Sequence, residues 1–258
     1  MFLRKIVEKK KEEVEERKKI FSIREMEDVI SNHSPPRRLI EAISQHAPMA
    51  LIAEIKFASP SAGTIKRDGD PRQIAMRYES GGAAAISVLT EPNFFKGDLS
   101  YLGLVKETTS IPVLQKDFII DPFQIFEGRA SGADAALIIA ALLDREQLND
   151  FVDLAISLRM VPLVEIHNEE DLDKISHLNL PLIGINNRDL KTLEVDLRTT
   201  LRLRKEISSK SKVISESGIR SSQDVRLLRE AGVDGILVGE ILMRSSDPAS
   251  TIRELLER

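Results

Sequence analysis

Several short apolar runs of the chain end on charged or polar side chains that a protein interior would ordinarily exclude. Leu51–Lys56, Pro112–Lys116, Pro162–Ile166, Leu182–Asn186 and Lys212–Glu216 end at, or just before, Glu54 and Lys56, Lys116 and Asp117, Glu165, Asn186 and Arg188, and Glu216 and Ser217. Glu54 and Lys56 are two residues apart, so on an extended chain both leave the same face, with Ile52 beneath them. One strand then presents an acid and a base side by side. Taken singly, each charge is also compatible with the start of a loop. Five runs with the same pattern point to a shared mouth, where desolvated Lys and Glu shift each other's proton affinities and support acid–base chemistry near neutral pH.

Two glycine-bearing turns suggest an anion site beside that mouth. Ser215–Ile219 follows the seventh apolar run, and Val238–Met243 follows the eighth and could open a short helix. Glycine lets backbone N–H groups approach an anion closely, and a helix N-terminus adds partial positive charge. Glu240 lies inside the second turn, so its carboxylate must point away from any phosphate held there.

Positioning these groups requires a repeated strand–helix scaffold. The apolar runs are Leu51–Lys56, Ala84–Leu89, Pro112–Lys116, Ala135–Ile139, Pro162–Ile166, Leu182–Asn186, Lys212–Glu216 and Gly235–Val238, with helical patterns between them. Similar turns begin at Gly81, Ser131 and Ala231, separated by about 50 and about 100 residues, or two and four units of roughly 25. An open doubly wound sheet uses the same turns; a closed (β/α)8 barrel over residues 49–258 is the expected architecture, and 258 residues suit it.

Residues 1–48 read as a helical extension. Leu3, Val7, Val14 and Phe21 are expected to share its buried stripe, with i,i+4 pairs Glu13–Arg17 and Glu15–Lys19 on the surface. Lys9-Lys10-Lys11, flanked by glutamates, is expected to be a solvated face. Ser34-Pro35-Pro36 interrupts the extension before a helix carrying Leu39, Ile40 and Ile43.

Composition narrows the function classes. A formal net charge of -4 gives no broad basic field for nucleic acid. Cys is absent, which excludes disulfides and thiolate chemistry and is compatible with the cytoplasm. Met1 to Ile20 has no apolar leader core, and no apolar run is long enough to span a membrane. His33, His46, His167 and His177 show no ligand spacing, so no metal site is expected and these residues are assigned to surfaces or turns. Nucleotide-binding glycine motifs are missing.

With these residues assembled, nearly the whole chain resembles the indole-3-glycerol-phosphate synthase family. The resemblance rests on Ala53–Ser61, Val88–Gly97, Lys116–Pro122, Leu163–His167, Gly184–Leu190 and Ser215–Ile219, in that order. It implies a cofactor-independent carboxy-lyase of tryptophan biosynthesis that acts on a sugar phosphate, with leading helices that cap the barrel and help form the substrate entrance. By analogy Lys116 is the principal general acid and Glu165 the catalytic carboxylate, while Lys56 orients the anionic substrate or serves as second acid; the division between the two lysines stays open. Glu54 and Glu216 would hold the lysines and substrate hydroxyls, and Asn186, Arg188 and Ser217 would bind substrate polar groups. Ser59, Gly218 and Gly239 would contact phosphate, and Phe95 and Phe118 would either wall the aromatic pocket or pack as core.

The chain departs from the family pattern at Leu39, Ala62 and Gly69, positions assigned to the helical cap and the loop after the first strand. A monomer making transient contact with other tryptophan-pathway enzymes is compatible with the resemblance. The nearest alternative reading is a Schiff-base aldolase or another sugar-phosphate barrel, since a strand-end lysine also serves as a nucleophile.

Overall fold

The computed structural model describes residues 2–257. Its eight barrel strands are β1 Ala50–Ile55, β2 Ala85–Leu89, β3 Val113–Lys116, β4 Ala135–Ile139, β5 Val161–Ile166, β6 Leu182–Asn186, β7 Lys212–Glu216 and β8 Gly235–Val238. Each pairs in parallel with the next, and β8 returns to β1 through the register Ala50↔Gly235 to Ala53↔Val238. The sheet is therefore a closed (β/α)8 barrel and not an open one. Every strand lies within one residue of its expected run at either end. The loop after β1 adds an antiparallel hairpin, Ala58–Ser59 with Gly63–Thr64, whose two-residue arms are too short to display a sequence period.

Strands buried on both faces explain why the runs are nearly continuous in apolar residues. One face points into the lumen, and the other packs against the surrounding helices. In the lumen, Ile52, Leu114, Leu163 and Ile214 come from the odd-numbered strands. Two residues further along the same strands stand Glu54, Lys116, Glu165 and Glu216. Barrel interiors are built as layers of four side chains from alternate strands. An apolar layer thus lies beneath a charged one, and the charged layer is at the C-terminal mouth.

The repeated turns have a common physical basis. Gly82, Gly132 and Gly232 adopt φ of 91, 100 and 79°, left-handed values that end a helix just before a strand. In two of the repeats an aspartate then fastens the neighbouring strand. The Val113 N–H donates to Asp134 Oδ2 at 2.9 Å, and the Val213 N–H donates to Asp234 Oδ2 at 2.9 Å. Lys106 and Lys212 complete these clasps at 2.5 and 2.7 Å. Ala84 occupies the corresponding place after Gly82 and cannot form one.

Three helices precede the barrel: α1 Phe2–Lys18, α2 Ile23–Asn32 and α3 Leu39–Gln45. The buried stripe of α1 is Ile6, Lys10 and Val14; Leu3 and Val7 are only partly covered, and Phe21 is 52% exposed beyond the helix end. Lys10 is not solvated, as its sequence neighbours suggested. It is buried, with its ammonium 2.7 Å from Glu13 and 3.0 Å from Asp117. The expected i,i+4 pairs are replaced: Lys18 and Lys19 reach Glu15 and Glu16 one turn back at 3.3 and 2.6 Å. Arg17 turns inward to Glu127 at 3.2 Å. Burial pushes the Glu127 carboxyl up to about 7, and a desolvated acid is a stronger claim on a guanidinium than an exposed one.

The leading helices serve opposite ends of the barrel. Arg37, just before α3, donates through its backbone to Asp134 and through its guanidinium to the Ile111 and Lys106 carbonyls, all on the N-terminal side of β3 and β4. The buried residues Leu39 and Ile43 join the lumen cluster from that end. Leu39 is therefore remote from the charged mouth, whereas α1 reaches it through Leu3 and Ile6. Among the described residues no helix is long and apolar enough to cross a membrane.

Asp134 binds two backbone N–H groups and an ammonium from full burial. Asp134→Ala should destabilise the fold by about 3–5 kcal/mol, because it strands buried partners. Asp234→Ala, at a partly exposed clasp, should cost only about 1–3 kcal/mol. Urea unfolding of the two variants tests this order.

Candidate active site

A cavity of about 730 Å³ opens at the C-terminal mouth, within the range of small-molecule sites. It is bordered by Glu54, Lys56, Ser59, Phe95, Lys116, Phe118, Glu165, Asn186, Arg188, Glu216, Ser217, Gly218 and Gly239. All the residues singled out from the sequence thus meet at one opening. Leu137, Ile139 and Leu237 contribute apolar surface, and Leu3 and Ile6 of α1 form part of the wall. Phe95 and Phe118 stand with ring centroids 5.8 Å apart, tilted by 40°. Glu91 fixes the Phe95 loop by accepting the N–H groups of Asn93, Phe94 and Phe95.

Charge is concentrated in the odd-strand layer. Lys116 Nζ lies 3.3 Å from Glu165 Oε2 and 3.2 Å from Glu216 Oε2, while Lys56 Nζ lies 2.5 Å from Glu54 Oε2. Burial alone would drive the Lys116 proton off. Glu216, Glu165 and Glu54 outweigh burial and hold the ammonium well above the ordinary lysine range. Glu165 is likewise opposed by burial, but attraction to Lys116, with His167 and Asn186 close by, holds it well below the usual carboxylate range. For Glu216 the balance tips the other way. Burial, reinforced by the Glu165 charge, pushes its carboxyl up to about 8. Glu54 is held below its ordinary value, since Lys56 and Lys116 overcome its desolvation. Glu165 and Glu216 thus flank a single ammonium with proton affinities shifted in opposite directions.

Two glycines make this packing possible. A Cβ at Gly184 would fall 2.3 Å from Glu216 Oε1, and one at Gly239 would fall 2.4 Å from Glu54 Oε2. Gly239 thus makes room for a carboxylate in addition to bordering the cavity. At the rim, Ser217 and Gly218 are both left-handed, with φ of 65 and 83°. This turn is braced from below by Asn187, whose amide donates to Ser215 Oγ and to the Glu216 and Ser217 carbonyls. Thr200 closes the network by donating to Asn187 Oδ1 through its N–H and hydroxyl.

The remaining candidates are held locally. Ser59 Oγ accepts the Ala62 N–H at 3.2 Å, and Arg188 donates to the Leu193 carbonyl at 2.9 Å. Glu240 is turned to Arg244 at 3.0 Å, which neutralises the carboxylate beside the glycine turn. Arg220 and Arg244 also border the cavity and add cations that the sequence reading did not single out. Among the described residues, no group of three or more His, Asp or Glu side chains is arranged to hold a metal ion.

His167 stands in the turn directly after β5, as expected, but is not at the surface. Its side chain is buried, with Nε2 3.1 Å from Glu165 Oε1 and Nδ1 3.2 Å from Asp171 Oδ2. The signal was present: His167 follows Glu165 by two residues, the same spacing that places Glu54 and Lys56 on one face. His33 and His177 are exposed, and His46 ends α3.

A closed eight-stranded barrel with lysines and carboxylates gathered at its C-terminal mouth defines a (β/α)8-barrel enzyme. The family model described as "Indole-3-glycerol phosphate synthase" matches residues 3–255, and the chain belongs to that family. Relatives of that name include one from Desulforamulus reducens, 42% identical over 99% of this chain and 97% of its own. One from Acidithiobacillus ferrooxidans is 44% identical over 98% of this chain and 97% of its own. Among solved structures, a 3-hexulose-6-phosphate synthase superposes with a TM-score of 0.63 at 15% identity, covering 80% of this chain and 98% of that one. At that identity the likeness concerns the fold alone.

The raised affinity of Glu216 for its proton has a thermodynamic consequence. The unfolded chain releases this proton near 4.5 and the folded chain near 8, so its contribution to stability is complete below the lower value and is lost as pH rises to the upper one. Glu216→Gln, which does not titrate, should gain stability relative to wild type between about pH 5 and about pH 8. Denaturant unfolding at both pH values would show a constant difference if Glu216 had an ordinary affinity.

Proposed function

We propose that the chain catalyses the reaction for which its family is named: closure of the indole ring on 1-(2-carboxyphenylamino)-1-deoxyribulose 5-phosphate, with loss of CO2 and water. The observation that carries the reading is the Lys116 ammonium held between Glu165 and Glu216 at the floor of a cavity with apolar and aromatic walls. The reaction needs each of these features. When the ring carbon bearing the carboxylate attacks the ribulose carbonyl, the carbonyl oxygen becomes an alkoxide. That alkoxide is basic enough to take a proton from Lys116 even though the surrounding carboxylates strengthen the ammonium.

Loss of CO2 returns an electron pair to the ring, and a poorly hydrated carboxylate departs more readily. Lys56 stands across the mouth to orient that anion and is the second candidate acid. Dehydration then expels the new hydroxyl as water, with Glu165 taking the last carbon-bound proton. Asn186, Arg188 and Ser217 bind substrate polar groups. Ser59, Gly218 and Gly239 line the phosphate end, where Arg220 adds positive charge and Arg244 offsets Glu240. Phe95 and Phe118 wall the aromatic ring, and α1 contributes to the entrance.

The aldolase alternative is disfavoured by the electrostatics. A Schiff-base nucleophile must be a neutral amine, and the three carboxylates around Lys116 hold it protonated. Borohydride with a keto-sugar phosphate should leave no adduct on Lys116.

Incubation with the carboxyphenylamino sugar phosphate, in the presence of a chelator, should generate indole fluorescence; no signal would overturn the reading. Lys116→Ala and Glu165→Gln should lower kcat by about 100-fold or more with little change in KM, whereas Ser59→Ala should chiefly raise KM. Activity should fall as pH rises through about 8, where Glu216 loses its proton. In Glu216→Gln that limb should disappear from the kcat profile.

A further inference from the structure

The loop after β5 carries a buried contact that the proposed reaction does not yet use. Glu165 presents Oε2 to Lys116 at 3.3 Å and Oε1 to His167 Nε2 at 3.1 Å, so each carboxylate oxygen faces a different nitrogen. The opposite ring nitrogen, Nδ1, lies 3.2 Å from Asp171 Oδ2. Asp171 is buried and fixed: it accepts the His167 backbone N–H at 3.0 Å, and its own N–H donates to Asn168 Oδ1 at 2.9 Å. The ring cannot swing away without breaking these contacts. Nε2 makes no hydrogen bond of good geometry, and Glu165, at ion-pair distance, is the acceptor within its reach.

We propose that His167, clamped by Asp171, is a positioning residue that holds Glu165 oriented and ionised while Lys116 gives up its proton. The proposal rests on the reading of Lys116 as acid and Glu165 as base. Its physical basis is what happens when Lys116 becomes neutral. Glu165 and Glu216 then lose the cation between them, and two desolvated carboxyl groups that shared one ammonium favour sharing a proton. A base that takes up a proton at that moment cannot collect the one released later from the substrate. An imidazolium on the far side of Glu165 supplies a positive charge that remains after the ammonium's has gone.

The charged groups at ion-pair distance from the ring are Glu165 from β5 and Asp171 from helix Glu169–Ile175; Lys116 and Glu216 stand beyond Glu165. Burial opposes the charge, but the hydrogen bond to Asp171 and attraction to Asp171 and Glu165 push the imidazole up to about 9. It is therefore charged at neutral pH, the state that can donate from both nitrogens.

The test compares wild type with His167→Ala and His167→Gln; Gln keeps a donor near the Nε2 position but carries no charge. His167→Ala should lower kcat by between about tenfold and 100-fold with KM changed less than about twofold. The acid limb of its kcat profile should move to higher pH, because Glu165 has lost a cation. His167→Gln should recover part of kcat and leave the acid limb displaced.

The second measurement needs no turnover. The imidazole NMR signal absent from His167→Gln should titrate near 9 in wild type and move toward the ordinary 6.5 in Glu165→Gln. A folded His167→Ala with wild-type kcat and acid limb overturns the proposal, as does a change confined to thermal stability. If the alanine variant does not fold, a His167 titration unaffected by Glu165→Gln overturns it instead. Failure of the reaction reading would be distinct, since wild type itself would then produce no indole.

Discussion

A lysine ammonium buried beside carboxylates at the mouth of the barrel is the constraint from which most of the site follows. Desolvating such a cation costs several kcal/mol, offset only when anions are fixed close by on rigid supports. Lys116 on β3 finds Glu165 on β5 and Glu216 on β7, with Glu54 on β1 adding to the negative field. These strands are distant in sequence and become neighbours in one layer only because the barrel closes. The pairing of β8 with β1 is thus a condition of the chemistry as well as of the fold. The apolar layer of Ile52, Leu114, Leu163 and Ile214 beneath excludes water and makes the charges above interact strongly.

Three carboxylates and two lysines cannot all be satisfied alike, and their geometry sorts them. Glu54 has Lys56 at 2.5 Å, and Glu165 is gripped from both sides, so both stay ionised. Glu216 shares its ammonium with Glu165, and burial together with the Glu165 charge outweighs that attraction. It is the member whose affinity for a proton is raised. Separation of affinities among adjacent carboxyl groups allows one site to hold acid and base at one pH. The glycines at 184 and 239 belong to this arrangement, since a methyl group at either would occupy the space of a carboxylate oxygen.

The sequence carried the barrel wall almost residue for residue, because strands buried on both faces leave uninterrupted apolar runs whose ends are marked by charge. It carried the charged layer for the same reason: a Lys or Glu two residues beyond an interior Ile or Leu must point into the same lumen. What it did not reveal depended on partners distant in the chain. Lys10 sits in a run of lysines and glutamates that reads as solvated, and only the placement of α1 against Asp117 buries it. Arg17 has a good helical partner in Glu13 but is drawn to Glu127 from another helix. His167 was dismissed for lack of metal spacing, although its two-residue offset from Glu165 already put both on one side of the strand.

The leading helix then becomes part of the machinery instead of a covering. Asp117 follows Lys116 directly, and its carboxylate is held from three directions: by Lys10 of α1 at 3.0 Å, by the Thr90 hydroxyl at 2.6 Å and by the Phe118 N–H at 2.7 Å. A backbone secured one residue beyond the ammonium leaves Lys116 little freedom except along its own side chain. The same helix places Leu3 and Ile6 on the cavity wall, so one rigid element secures the backbone beside Lys116 and lines the opening. By contrast α3 packs into the opposite end of the lumen, where Leu39 and Ile43 bear on the strand origins. The extension therefore divides its physical roles, with α3 completing the core and α1 orienting the charged layer.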